Sequence, residues 1–139
     1  MKNKKHKKTI KHVFFGLLIG GLTLIGIWQL LSFQVKIQQQ QEREKVALWV
    51  VQHFSGKEPI KSIKVGRINT HGILGSAGKS TSLIINDKKV NRLEGVDLDD
   101  NGIPNGSYFY DDDFEYTYHE KKISHVTLKG VKVGIWKDN

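Results

Sequence analysis

Residues 13–33, VFFGLLIGGLTLIGIWQLLSF, run for 21 positions without a charged side chain, and Thr23, Gln29 and Ser32 are the polar interruptions. At about 1.5 Å of rise per residue, roughly 20 apolar residues in a helix span a hydrocarbon core about 30 Å thick, with every backbone N–H and C=O bonded inside the segment. The stretch is expected to cross a bilayer once. It constrains topology and compartment more than anything else in the chain.

Orientation follows from the flanks, because membrane-adjacent cytoplasmic segments carry an excess of Lys and Arg. Lys2, Lys4, Lys5, Lys7, Lys8 and Lys11 precede the run, and no acid occurs before Glu42. The expected layout is a basic cytoplasmic tail over 1–12, a transmembrane helix over 13–33, a polar helical stalk over 34–45 and an extracytoplasmic domain over 46–139. A cleaved secretory signal has the same positive start and apolar core, but its core is about 7–15 residues long and ends at a small-x-small site. Here the run is longer and leaves through Leu30-Leu31-Ser32-Phe33-Gln34-Val35. An uncleaved anchor in the cell membrane is therefore expected, with the C-terminal domain outside the cell.

The formal net charge of +8 is mostly a topology signal. The six tail lysines set aside, 16 Lys and Arg face 14 Asp and Glu in the rest of the chain. A nucleic-acid binder would concentrate basic residues on its folded domain, so no nucleic-acid partner is expected. The tail is suited to anionic inner-leaflet lipid. No cysteine is present, which removes disulfides, thiol nucleophiles and thiolate metal sites.

Beyond the apolar run, Gln34 to Phe54 has no Gly or Pro and is rich in Gln, Glu and Lys, which favours helix. Val46, Trp49, Val50 and His53 fall on one stripe, with Ala47, Val51 and Phe54 beside it, an apolar face wide enough to pack on a sheet. Gly56 stands where a C′ residue would end the helix, with Pro59 beyond. From Ile60 onward the period falls to two. Strands are expected around Ile63 and Val65, across Ser80 to Asn86, and through Phe114, Tyr116 and Tyr118, with a turn at Asn86-Asp87-Lys88-Lys89. Val126 and Leu128 are out of phase with Val131, Val133 and Ile135, so a bulge or tight turn is expected at Lys129-Gly130. The fold class is α+β: a transmembrane helix, then one amphipathic helix on a small antiparallel sheet.

Two motifs bear on chemistry. His71 to Thr81, HGILGSAGKST, resembles a phosphate-binding P-loop, but the position five before Gly78 is Ile73, and a β-rich run follows where that motif opens a helix. It reads as a glycine-rich connection. Between Leu93 and Glu120 lie nine acids and no Lys or Arg. Within this interval Asp97-Leu98-Asp99-Asp100-Asn101-Gly102 fits the opening of a calcium loop, and Asp97, Asp99 and Asn101 would be the oxygen ligands. The run through Tyr108 is similar to a thrombospondin type 3 calcium repeat, with Asn105 and Tyr108 where that repeat has acids. A terminal bidentate Glu is missing, so calcium would need Asp111 to Asp113 to fold back. The same residue types also make an ordinary solvated turn.

Catalysis has little support. No G-x-S-x-G elbow occurs, and His119 and His125 are six residues apart, wider than the usual zinc spacing. A non-enzymatic role without a cofactor is expected. Tyr108, Phe109, Tyr110, Phe114, Tyr116 and Tyr118 interleave with acids, a combination suited to a protein partner with a basic surface, although one parity of these rings must also fill the core.

Glu44-Lys45-Val46-Ala47-Leu48-Trp49-Val50-Val51-Gln52-His53-Phe54, then Ile60-Lys61-Ser62-Ile63-Lys64-Val65 and Leu83-Ile84-Ile85-Asn86-Asp87-Lys88, following a basic start and an apolar span, resemble the small lipid- or helix-anchored surface proteins of unknown function in streptococci and related Gram-positive bacteria. The likeness covers about residues 10 to 98. Many such proteins carry a lipid-modified cysteine, which this chain lacks. The resemblance implies an anchored surface domain and brings no catalytic residues; because relatives are sometimes encoded beside secreted toxins, it also implies an immunity role as one alternative.

Overall fold

The computed structural model describes residues 3–73 and 77–137, with side chains from Phe15 onward. Leu74, Gly75 and Ser76 of the glycine-rich connection, and the side chains of the basic tail and of Val13 and Phe14, lie outside the described residues. The chain divides into two compact units, residues 1–38 and 39–139.

One helix, α1 (Asn3–His53), runs from the first unit into the second without a break. The membrane helix, the helical stalk and the amphipathic helix expected from sequence are one element, because no Gly or Pro between Gly26 and Gly56 interrupts helical hydrogen bonding. The four consecutive glutamines at 38–41 are helical too. Gln40 Nε2 donates to Glu44 Oε1 at 3.2 Å, and Arg43 Nε to the Gln39 carbonyl at 3.4 Å, pairs at i, i+4 of the kind that support an exposed helix.

In the first unit the apolar side chains from Phe15 to Ile37 face outward all round the helix. Thr23 Oγ1 and Ser32 Oγ donate to the carbonyls of Gly20 and Gln29 at 2.8 and 2.9 Å, so both hydroxyls are satisfied within the helix itself. Among the described residues this is the one helix long and apolar enough to cross a membrane, and none of its apolar window is buried in protein.

The second unit is α+β. Strands β1 (Phe54–Gly56) and β6 (Tyr116–Tyr118) form a two-stranded antiparallel ladder. The larger sheet contains β2 (Ser62–Val65), β3 (Asn69–Thr70), β4 (Lys79–Ile85), β5 (Arg92–Leu98) and β7 (Lys132–Ile135). Strand β4 is central: β2 and β3 pair with it antiparallel, and so does β5. Strand β7 adds to β2 in the parallel sense, so the sheet is mixed where antiparallel pairing alone is expected from sequence. The returning chain meets the open edge of β2 while running in the same direction.

The core forms where the two periodicities meet. Val46, Ala47, Trp49, Val50 and Val51 of α1 join Ile63, Val65, Leu83, Ile85, Leu93, Val96 and Leu98 of the sheet in one buried cluster. Cross-strand register sets Ile63 opposite Ile85 and Val65 opposite Leu83. Strand β5 belongs to this core, although its sequence, RLEGVDL, reads as part of an acidic loop. Its inward residues slip phase at Gly95, which has φ +58° in a ladder whose register shifts between Thr81 and Leu83. An extra residue in the left-handed region is a bulge, and glycine accepts that conformation.

Gly56 does not cap the helix as expected. The chain passes from His53 directly into β1, and a Cβ on Gly56 would lie 2.8 Å from Tyr116 Cδ1 and 2.9 Å from the Glu115 carbonyl oxygen. Its small size lets the β1–β6 ladder close. The Asn86-Asp87 turn forms as expected, with φ of 54° and 57° at its two central residues. Asn86 also ties the domain together: Oδ1 accepts from the backbone N–H of Lys61 and Ser62, and Nδ2 donates to the Pro59 carbonyl and the Tyr116 hydroxyl. At Lys129-Gly130 the chain makes a tight turn, with Gly130 at φ +82° and Val131 N–H bonded to the Leu128 carbonyl.

Val50 is fully buried at the helix–sheet contact. Val50→Ala is expected to destabilise the domain by about 2–3 kcal/mol through lost burial and the cavity left behind, whereas the exposed Gln40→Ala changes stability by less than about 0.5 kcal/mol. Denaturant titration of the full chain in detergent, followed by near-ultraviolet circular dichroism, checks both.

Candidate functional site

The acidic, aromatic interval Leu93 to Glu120 is laid out by β5. Residues 104–109 pair with its outer edge: Glu94 and Phe109 exchange both backbone hydrogen bonds, at 2.9 and 2.8 Å, and a bridge joins Leu98 to Pro104. Asp97 to Gly102 is therefore the end of β5 and the turn of a hairpin. Asp97 N–H bonds to the Ser107 carbonyl, and Asp97 C=O accepts from Asn105 N–H. Asp99 Oδ1 accepts from the backbone N–H of Asn101 and Ile103 at 2.9 and 2.8 Å, an Asx-type closure. Lys45 of α1 donates its ammonium to the Asn101 carbonyl at 2.7 Å, placing a positive charge against the loop. Gly102, buried at φ +75°, lies so close to Glu42 that a Cβ there would come 2.9 Å from the Glu42 Cγ.

The fold thus places Asp97, Asp99 and Asn101 in one turn. It does not bring Asp111 to Asp113 back to them. The ladder runs from Leu98–Pro104 to Glu94–Phe109, and at about 3.3 Å per residue those acids leave it at its far end. Among the described residues, no three His, Asp or Glu side chains converge as a metal site.

The same hairpin sorts the aromatic residues. Tyr116 is buried, and Tyr108, Phe114 and Tyr118 pack half-buried against the core. Trp49, Phe54, Tyr108 and Tyr118 contact one another with ring centroids 5.2–6.1 Å apart, geometries favourable for aromatic pairs. Burial pushes the Tyr108 hydroxyl up to about 12, with the neighbouring Tyr118 and Tyr110 adding to the shift. Phe109 and Tyr110 are left outside, 75% and 58% exposed. The Phe109 ring lies over Gly95, where a Cβ would come within 3.1 Å of it. Tyr110 sits at the rim of the cluster, 6.0 Å from Tyr108 and 5.1 Å from Phe114 between centroids. With Arg92, Glu94 and Asp111 these two rings line a shallow cavity of about 100 Å³. Asp112 and Asp113 are exposed just beyond.

Charge at the neighbouring edge is tied into structure. Arg92 Nε lies 2.7 Å from Glu94 Oε1. Glu115 accepts from Asn91 Nδ2 and from Lys88, and these bonds, Asn91 first, hold its carboxyl below the usual carboxylate range. The fully buried Asn91 is satisfied at both ends of its amide, since its Oδ1 accepts from Glu115 N–H.

Residues far apart in sequence also meet at the end of α1. His119 N–H bonds to the His53 carbonyl, His53 Nδ1 donates to the His119 carbonyl at 2.8 Å, and His119 Nε2 lies 2.6 Å from Ser55 Oγ. Together they extend the β1–β6 ladder by one pair, and the His53 ring stacks on Tyr118 at 5.6 Å. Neither His119 nor Ser55 carries a sequence motif that would announce this meeting across 64 positions. His125 lies in the turn that follows. Compared with known proteins, the chain matches no family model, no curated protein and no solved structure.

Asp99→Ala removes the acceptor for two loop N–H groups and is expected to lower stability by about 1 kcal/mol. Millimolar calcium is expected to leave the melting temperature of the full chain unchanged, since a ligand that favoured the folded state would raise it. Thermal melts with calcium and with chelator measure both.

Proposed function

We propose that this chain is a single-pass membrane protein that acts by binding and not by catalysis, presenting its α+β domain on the outer side of the cell membrane to a partner with a cationic surface. The single observation that carries the partner chemistry is the pair of exposed rings, Phe109 and Tyr110, beside Asp111 to Asp113, at a cavity that Glu94 and its ion-pair partner Arg92 also line. Rings held by the backbone of a hairpin offer contact area at little entropic cost, and surrounding carboxylates attract and orient a basic protein. Six lysines before the apolar run support the outward orientation of the domain. The resemblance to small anchored surface proteins of Gram-positive bacteria supports the same compartment.

The experiment uses the full chain in phosphatidylcholine nanodiscs, whose headgroups carry no net charge, with a polylysine peptide as cationic probe. Binding is expected to weaken as salt rises. Phe109→Ser with Tyr110→Ser is expected to weaken it by about 10- to 100-fold, the range for two rings of roughly 0.7–1.4 kcal/mol each. Equal affinity for the original and doubly substituted chains would overturn the assignment of this face.

A further inference from the structure

Basic residues from three separate parts of the sequence converge on a second, larger cavity of the folded unit. Arg43 of α1, Arg67 after β2 and Lys137 after β7 line a groove of about 360 Å³ together with Ile68, Ile135 and Trp136, a volume within the roughly 300–1,000 Å³ of small-molecule sites. Among the described residues, no carboxylate lines it. The indole is held in place from the backbone outward: Trp136 N–H bonds to the Val65 carbonyl, continuing the β2–β7 pairing, and the ring passes over Gly66. A Cβ on Gly66 would lie 3.1 Å from the Ser82 carbonyl oxygen and 3.7 Å from the indole. The Arg92 guanidinium stacks on the Trp136 ring at 4.6 Å, while its Nε pairs with Glu94. Ile135 is 58% exposed at the mouth.

Three cations select an anion, and the exposed isoleucine and indole select one with an apolar portion, which a free inorganic ion lacks. The groove wall includes Gln39, six residues after Phe33, the last residue of the apolar run. Covalent connectivity alone keeps the Cα atoms of Phe33 and Gln39 within about 20 Å of each other. Any lipid around the span is therefore present at high effective concentration. Trp beside Arg and Lys is also the side-chain combination favoured at the headgroup level.

We propose that this groove binds the phosphate of an anionic glycerophospholipid in the leaflet on the domain's own side, with Arg43, Arg67 and Lys137 facing the phosphate and Ile135 and Trp136 against the glycerol and upper acyl chain. The site rests on reading the apolar run of α1 as a membrane span.

The test places full-length chain carrying Trp28→Phe in nanodiscs of phosphatidylcholine alone or mixed with increasing phosphatidylglycerol, and measures quenching of tryptophan fluorescence by neutral acrylamide. Trp49 is 7% exposed, so Trp136 dominates the quenchable signal. Phosphatidylglycerol is expected to protect Trp136. Arg43→Gln with Arg67→Gln is expected to raise the phosphatidylglycerol fraction needed for half protection by about five-fold for each charge removed, with an unchanged near-ultraviolet spectrum reporting an intact fold. Lys137→Gln, outside every strand, gives the same direction by an independent route. Equal quenching in both lipids, or protection that survives the double substitution, overturns the site. Protection by inorganic phosphate in phosphatidylcholine discs replaces it with a free-anion site and overturns the lipid assignment. A chain that fails to co-elute with the discs contradicts the span itself, a failure distinct from insertion without lipid dependence.

Discussion

Everything in the folded unit leans on one contact: the stripe Val46, Ala47, Trp49, Val50 and Val51 of α1 against the inner face of the sheet. A domain of about 100 residues has little core to spare, and this is the only helix among the described residues that brings an apolar face to it. The same helix is apolar on nearly every side from Phe15 to Phe33, and none of its apolar window is buried in protein. Two solvents are thus written into one element. The first part suits lipid around its whole circumference, and the last part has a single dry side. The polar turns between them hold helical geometry through i, i+4 side-chain bonds and contribute no core.

Polar groups then fix how the sheet is closed. Asn86 bonds to two separate segments, Pro59 to Ser62 and Tyr116, through one amide, and its backbone adopts the left-handed conformation that the turn requires. Asn91 does the same work in the interior for Glu115. The Glu42–Lys79 pair, 2.7 Å apart and mostly shielded from solvent, ties α1 to the start of β4. A buried pair of this kind adds little net stability over apolar packing, but losing one partner leaves the other uncompensated. The hairpin after β5 is held by its own backbone pairs, Glu94 with Phe109 and Asp97 with Ser107, which leave Phe109 exposed on a defined backbone.

Much of this is legible in the sequence, for physical reasons that differ from place to place. The apolar run, the stripe on α1, β2, β4 and the Asn86-Asp87 turn follow from period and turn chemistry, which are local. The membrane helix, the helical stalk and the amphipathic helix expected from sequence form one continuous element, and propensity reports that helix is favoured throughout but not where one environment gives way to another. Strand β5 is hidden because Gly95 shifts its phase, so Leu93, Val96 and Leu98 fit no single alternation. Gly130 marks a phase slip as well, but there the chain makes a tight turn outside any ladder and not a bulge within one. Asp97, Asp99 and Asn101 attract attention as ion ligands because turns and calcium loops use the same residues; the contacts that place this turn, Lys45 at the Asn101 carbonyl and Asp111 at the far end of the ladder, are long-range. The sorting of the aromatic residues into core and surface depends on the hairpin register, and the basic groove gathers residues from three distant segments. The groove leaves no signal in sequence spacing, whereas the inward rings Tyr108, Phe114, Tyr116 and Tyr118 share one parity and only Tyr110 departs from it.

The central claim is that α1 passes through lipid and delivers the sheet to the outside. Because the chain contains no cysteine, single cysteines placed along it can be labelled with a membrane-impermeant maleimide in intact cells. The expected result is labelling of Ser55→Cys from outside, none of Leu22→Cys under either condition, and labelling of Lys4→Cys only after permeabilisation. Labelling of Ser55→Cys only after permeabilisation, or ready labelling of Leu22→Cys in intact cells, would contradict it.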